Sequence, residues 1–262
     1  KRQSLNHKKN YNRHPFRKRW GQNFLMDINL LEKIVRTIEP ESDDKFLEIG
    51  PGEGALTARI FPKVDSLVSI EIDPLLIKSL KKQSNLKGVE IIHGDILNQN
   101  IDELPINNPV RIFGNIPYNI TSPIIFWLIE QLDFWSDTHI MMQREVAERL
   151  CAEVGTKSYG RLTVVVGAYL DIKYCFTIKP DVFIPKPKVE SAIVKFSKKE
   201  HALIDDKKYV RFNKLVSAAF SQRRKMLRNT LKGWDISREV KERIDFTRRP
   251  ESLTISEFAS MV

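Results

Sequence analysis

Two cysteines in 262 residues, Cys151 and Cys175, leave no disulfide framework to be read, and the five histidines are scattered singly, at none of the short spacings a zinc site needs. A cytoplasmic protein without a metal is the expectation. Long apolar runs are missing as well. A stretch such as Pro123 to Ile129 falls far short of the ~20 residues that span a bilayer, so no membrane partner is expected. Residues 1–19 contain no acidic side chain, and no apolar stretch follows them in which a secretion signal could be recognised. Eight cations stand there instead, among them Arg17, Lys18 and Arg19. Such a segment cannot collapse on itself. It is either a solvated tail or an arm that orders against an anion.

The formal charge of the whole chain is +10, and the hydrophobic share of 42% is enough for a sizeable core. A basic excess of this size favours nucleic acid, because each neutralised phosphate releases condensed counterions. Asp27 can cap a helix whose apolar residues Ile28, Leu31, Ile34, Val35 and Ile38 follow helical spacing, with Pro40 as its stop. Short strand candidates then follow at 46–49, 66–72, 89–93, 110–113, 139–142, 170–176 and 189–196. Helical stretches alternate with them at 56–61, 74–82, 122–132, 145–151 and 159–168. This alternation predicts an α/β fold with a mostly parallel, doubly wound sheet. After Ser197 the pattern turns to charged helical segments at 209–220, 224–231, 238–244 and 255–261. The expected division is a basic tail (1–19), an α/β domain (20–199) and a small helical domain (200–262).

Glu48-Ile49-Gly50-Pro51-Gly52-Glu53-Gly54 sits between the first strand of that alternation and a helix, where glycines let the backbone turn sharply against a ligand. Gly50, Gly52 and Ala55 also fit the dinucleotide fingerprint G-x-G-x-x-G/A, and Glu71, about 20 residues on, could hold a ribose in either setting. The turn alone leaves a nicotinamide-dependent oxidoreductase and a methyltransferase both open. Asp95 follows the third strand, where its carboxylate can accept a hydrogen bond from an adenine amine. Glu48, Glu53 and Glu71 would repel a pyrophosphate and attract a sulfonium, which favours S-adenosylmethionine.

Phe113-Gly114-Asn115-Ile116-Pro117-Tyr118 follows the fourth strand and so lies at the carboxyl edge of the sheet, where open α/β sheets place ligands. An adenine amine is a poor nucleophile because its lone pair is delocalised into the ring. A catalyst must accept its two N–H bonds; Asn115 Oδ1 and the carbonyl of Ile116 are acceptors of that kind. Pro117 stiffens the turn, and Tyr118 offers a face on which a flipped base can stack.

With these motifs in order, the chain resembles the bacterial small-subunit ribosomal RNA adenine N6,N6-dimethyltransferases. The resemblance also includes Gly21-Gln22-Asn23-Phe24-Leu25, Lys157-Ser158-Tyr159-Gly160-Arg161-Leu162, Phe183 to Ser191 and Phe220 to Asn229. It implies a Rossmann-like class I methyltransferase whose cofactor pocket is lined by Asn23, Leu25, Gly50, Glu71, Asp95 and Asn115. It further implies that Phe183 covers the target base opposite Tyr118, and that two adjacent adenosines near the 3′ end of the RNA are dimethylated on a partly assembled subunit. A monomer is expected. Arg223, Arg224, Lys225 and Arg228 supply a basic stretch suited to phosphates, with Arg224 and Arg228 one helical turn apart. A sister group that methylates large-subunit RNA and confers antibiotic resistance shares the fold and chemistry; the Tyr-Gly-Arg-Leu and Arg-Arg-Lys-x-x-Arg-Asn stretches favour the small-subunit enzymes.

Overall fold

The structure, a computed structural model, describes residues 23–262; Arg17, Lys18, Arg19 and the rest of the basic segment lie outside the described residues. The strands are β1 (Phe24–Leu25), β2 (Lys45–Ile49), β3 (Ser66–Glu71), β4 (Glu90–His93), β5 (Val110–Asn115), β6 (Trp135–Gln143), β7 (Leu170–Ile178), β8 (Phe183–Ile184) and β9 (Ser191–Lys198). The helices are α1 (Ile28–Ile38), α2 (Thr57–Ile60), α3 (Pro74–Leu80), α4 (Thr121–Glu130), α5 (Arg144–Leu150), α6 (Arg161–Gly167), α7 (Tyr209–Phe220), α8 (Leu227–Thr230), α9 (Arg238–Arg243) and α10 (Ile255–Ala259). None of the described helices is long and apolar enough to cross a membrane.

Seven strands form one sheet in the order β4-β3-β2-β5-β6-β9-β7. The strands from β4 to β6 run parallel, and β9 pairs antiparallel with both β6 and β7. Successive crossovers lead from β2 outward to β4 and then back to β5, so the topological switch point falls between β2 and β5. Period-two alternation sends neighbouring side chains to opposite faces. Phe46, Leu67, Phe113 and Met141 join α1 and α2 in one apolar cluster, while Leu47, Val68, Ile112 and Ile140 join α4 and α6 in another.

Local chemistry sets several boundaries. Asp27 Oδ1 accepts the Leu30 N–H at 2.7 Å and starts α1 one residue later, and Asp73 with Pro74 starts α3 in the same way. β6 begins at Trp135, four residues before the sequence pattern suggested, and β1 and β8 pair with each other in a two-stranded ladder that no periodicity announced. Ile204, Phe212, Leu215, Leu227 and Phe258 share the cluster that contains Leu47 and Ile112. After residue 200, α7 and α10 pack against α6, and the apolar core is continuous through it.

The helix expected over 224–231 does not form as such. Residues 221–225 turn, Met226 is extended (φ −68°, ψ 151°), and α8 starts only at Leu227. The Leu227 and Arg228 N–H groups donate to the carbonyls of Arg248 and Phe246, each at 2.9 Å, and this long-range pairing takes them out of any upstream helix. Arg224 and Arg228 thus share no helix face.

Gly114 marks the closest approach at the switch point: a Cβ there would stand 2.6 Å from the Ile49 carbonyl oxygen. Gly114→Ala should therefore cost about 1–3 kcal/mol of stability by forcing β2 and β5 apart. Urea denaturation reads this directly, and an unchanged midpoint would show that the ladder can yield.

Candidate active site

The glycine-rich turn leaves β2 at the switch point. Gly52 adopts φ +59°, a left-handed conformation that side chains rarely tolerate, and a Cβ there would meet the Phe24 ring at 3.1 Å. Donors that a dinucleotide site would aim at phosphate are used internally. The Gly50 N–H donates to the Ile70 carbonyl at 3.0 Å, Gly52 to Glu71 Oε2 at 3.2 Å, and Gly54 to the Pro51 carbonyl at 2.9 Å.

Glu71, 5% exposed, also accepts the Asp73 N–H at 2.9 Å through Oε1, and burial raises its pKa above the ordinary 4.5 despite these bonds. Glu48 is 2% exposed. Its Oε2 accepts the Thr57 and Ser69 hydroxyls at 2.7 and 2.8 Å, yet burial pushes the group up to about 7, with Glu71 adding a smaller repulsion. Asp95 Oδ1 caps the short turn Ile96–Asn98 by accepting the Leu97 N–H at 3.1 Å.

One cavity at the carboxyl ends of β2, β3, β4 and β5 gathers every cofactor candidate read from the sequence. Its lining takes in Asn23 and Leu25, the turn residues Gly50 and Gly52, the carboxylates of Glu71 and Asp95, and Asn115. The sequence reading left out the apolar surfaces of Phe24, Ile72 and Ile96. Phe24 sits inside a motif already noted; Ile72 and Ile96 each follow an acidic candidate, which was the available signal. Among its described lining residues the cavity has four carboxylates, Glu48, Glu53, Glu71 and Asp95, and no lysine, arginine or histidine. That balance repels a pyrophosphate and suits a cation, and together with the spent N–H groups it removes the nicotinamide reading.

Asn115 ends β5, and its Nδ2 donates to the Asn23 carbonyl at 2.9 Å, which commits the donor side of the amide and leaves Oδ1 as its acceptor. Ile116 is buried beside it, and Pro117 (φ −58°, ψ 136°) carries the chain into the turn that starts at Tyr118. The Tyr118 and Ser191 hydroxyls stand 2.6 Å apart. A second cavity, bounded by Tyr118, Asn119, Gln143 and Lys188, meets the first at Asn23.

Phe183 does not face Tyr118 across an open space. It is 2% exposed and packs with Leu25, Met141 and Ile193, because pairing of β8 with β1 turns Phe183 inward and Ile184 outward. Arg223 is exposed, and one nitrogen of its guanidinium, Nη2, donates to the carbonyls of Thr156 and Tyr159, at 3.2 and 2.8 Å. Arg224, Lys225 and Arg228 are exposed and have no carboxylate in salt-bridge range among the described residues. No cluster of potential metal ligands occurs among the described residues.

Residues 13–262 match the family model described as ribosomal RNA adenine dimethylase. Proteins named ribosomal RNA small subunit methyltransferase A are similar over nearly their whole length. The one from Methylococcus capsulatus is 39% identical over 252 residues, 95% of this chain and 97% of its own. The one from Coxiella burnetii is 39% identical over 254 residues, 94% and 96% of the two chains. Among solved structures, a dimethyladenosine transferase from Plasmodium falciparum superposes with a TM-score of 0.79 at 27% identity, covering 91% of this chain and 95% of that one. The 23S rRNA methyltransferase ErmE superposes with a TM-score of 0.71 at 27% identity, covering 91% and 97%. Since the family match takes in both cavities and the turn between them, the chain belongs to the ribosomal RNA adenine dimethylase family.

Proposed function

We propose that this protein transfers methyl groups from S-adenosylmethionine to the exocyclic amines of two adjacent adenosines near the 3′ end of small-subunit ribosomal RNA, on a partly assembled subunit in the cytoplasm. The observation that carries the reading is an acidic cavity, without a cation among its described lining residues, that is also lined by Asn115, an amide whose donor is committed to the Asn23 carbonyl and whose Oδ1 is left to accept. The full-length similarity to proteins named for the small subunit favours that substrate over the large-subunit RNA in the name of ErmE.

The residues fit the cofactor. Glu71 suits ribose hydroxyls, Asp95 an adenine amine, Ile72 and Ile96 a flat base, and the surrounding carboxylates a positive charge. When bound, S-adenosylmethionine supplies an electrophilic methyl on a cationic sulfur, and the carbon–sulfur electron pair stays with sulfur as the carbon–nitrogen bond forms. Asn115 Oδ1 and the Ile116 carbonyl accept the two N–H bonds of the target amine and so localise its lone pair. The Asn23 carbonyl keeps the Asn115 amide from turning its donor side outward. Tyr118 supports the base, and the surplus proton leaves N6 for water, so no side-chain base is needed. Arg224, Lys225 and Arg228 take phosphates of the RNA as separate contacts.

Labelled methyl transfer to small and large subunits from cells lacking the modification, followed by digestion to nucleosides, tests the assignment. Dimethyladenosine from the small subunit alone is expected; label in the large subunit would overturn the choice of RNA. In the same assay Asn115→Ala should lose transfer by at least about a hundredfold, in the range of a lost transition-state contact, with RNA binding nearly unchanged. Lost RNA binding with normal turnover would remove Asn115 from the chemistry.

Glu48 gives a pH signature in the ligand-free protein. Its folded value of about 7 lies above the ordinary 4.5, so the fold favours the neutral acid. That contribution is complete below 4.5 and is lost as pH rises through 7, by up to about 3 kcal/mol. Glu48→Gln should flatten the fall of the thermal midpoint between pH 4.5 and 7; equal slopes in both proteins would show that Glu48 ionises at no cost.

A further inference from the structure

Ser191 is completely buried, and its backbone is paired on both sides, with Gln143 of β6 and Ile178 of β7. Few positions in the chain are held more firmly. Its hydroxyl meets the Tyr118 hydroxyl at 2.6 Å. Tyr118 itself belongs only to a three-residue turn that follows Pro117, so this bond ties the far end of its ring to the sheet. Asn115, three residues earlier, has its own tether in the Asn23 carbonyl. Asn23 directly precedes β1, and β1 pairs with β8, which lies just ahead of Ser191 and β9 in the chain. The two side chains that face the amine are thus fixed from outside their own loop.

Two successive transfers to one nitrogen place unequal demands on that arrangement. An unmodified adenine offers two N–H bonds to Asn115 Oδ1 and the Ile116 carbonyl. A monomethylated adenine offers one, so one acceptor loses its donor, and contact with the Tyr118 ring carries a larger share of the orientation. We propose that Ser191 is a positioning residue that, by holding Tyr118, governs progress from monomethyl- to dimethyladenosine. The inference rests on the assignment of the Asn115 to Tyr118 turn to the target amine.

Single-turnover time courses on unmodified small subunits, with mono- and dimethyladenosine quantified separately, test it in the full chain. Ser191→Ala and Tyr118→Phe each remove the bond and keep the ring. Each should slow the second transfer about tenfold, the loss of one oriented hydrogen bond, while the first slows less than about threefold, so that monomethyladenosine accumulates. The double variant should be no worse than either single one, because both remove the same bond. Equal slowing of both transfers in Tyr118→Phe, or additive losses in the double variant, would overturn the proposal. A wild-type protein that forms no methyladenosine would overturn the underlying assignment instead, and that control separates the two failures.

Discussion

The carboxylate of Glu71 holds the site in its present form. One oxygen accepts the Gly52 N–H and the other the Asp73 N–H, so one buried side chain ties the glycine-rich turn after β2 to the start of α3 after β3. A turn of this composition would otherwise present its N–H groups to an anion. Here those of Gly50, Gly52 and Gly54 bond within the protein, and the cavity takes the character of its carboxylates. Glu48, buried nearby, has its pKa pushed up to about 7 chiefly by burial, with a smaller contribution from the neighbouring Glu71.

The second constraint is mechanical. The side-chain partners of Asn115 and Tyr118 lie far off in sequence: the Asn23 carbonyl, almost a hundred residues away and directly before β1, and the Ser191 hydroxyl, more than seventy residues away at the start of β9. The short β1–β8 ladder holds the segment that carries Asn23, and Leu25 and Phe183 bury their side chains beneath it. Rigidity at the reacting amine therefore comes from the sheet, through β9, and from the apolar cluster under α1. Phe183 contributes to this support from within the core, without an open face of its own.

Features governed by local chemistry could be read from the sequence. Asp27 and Pro40 bound α1, Asp73-Pro74 opens α3, and the acidic residues after β2, β3 and β4 fall on one cavity because parallel strands end at one edge. Features set by distant partners could not. Two-residue strands have no period, so β1 and β8 gave no signal. The basic run at 223–228 has helical composition, but carbonyls of Arg248 and Phe246 capture the N–H groups of Leu227 and Arg228, and Arg223 Nη2 bonds the carbonyls of Thr156 and Tyr159. The switch from strands to charged helices near residue 200 was visible, whereas the continuity of the core across it depends on α7 packing against α6, which places Phe212 and Leu215 in the same apolar cluster as Leu47 and Ile112.

Calorimetric titration of the ligand-free protein with S-adenosylmethionine and, separately, with a nicotinamide dinucleotide tests the central claim that this cavity is built for a cation and closed to a pyrophosphate. Saturable binding of the first and no binding of the second is the predicted result. Binding of the dinucleotide in that cavity, with S-adenosylmethionine unable to displace it, would contradict the account.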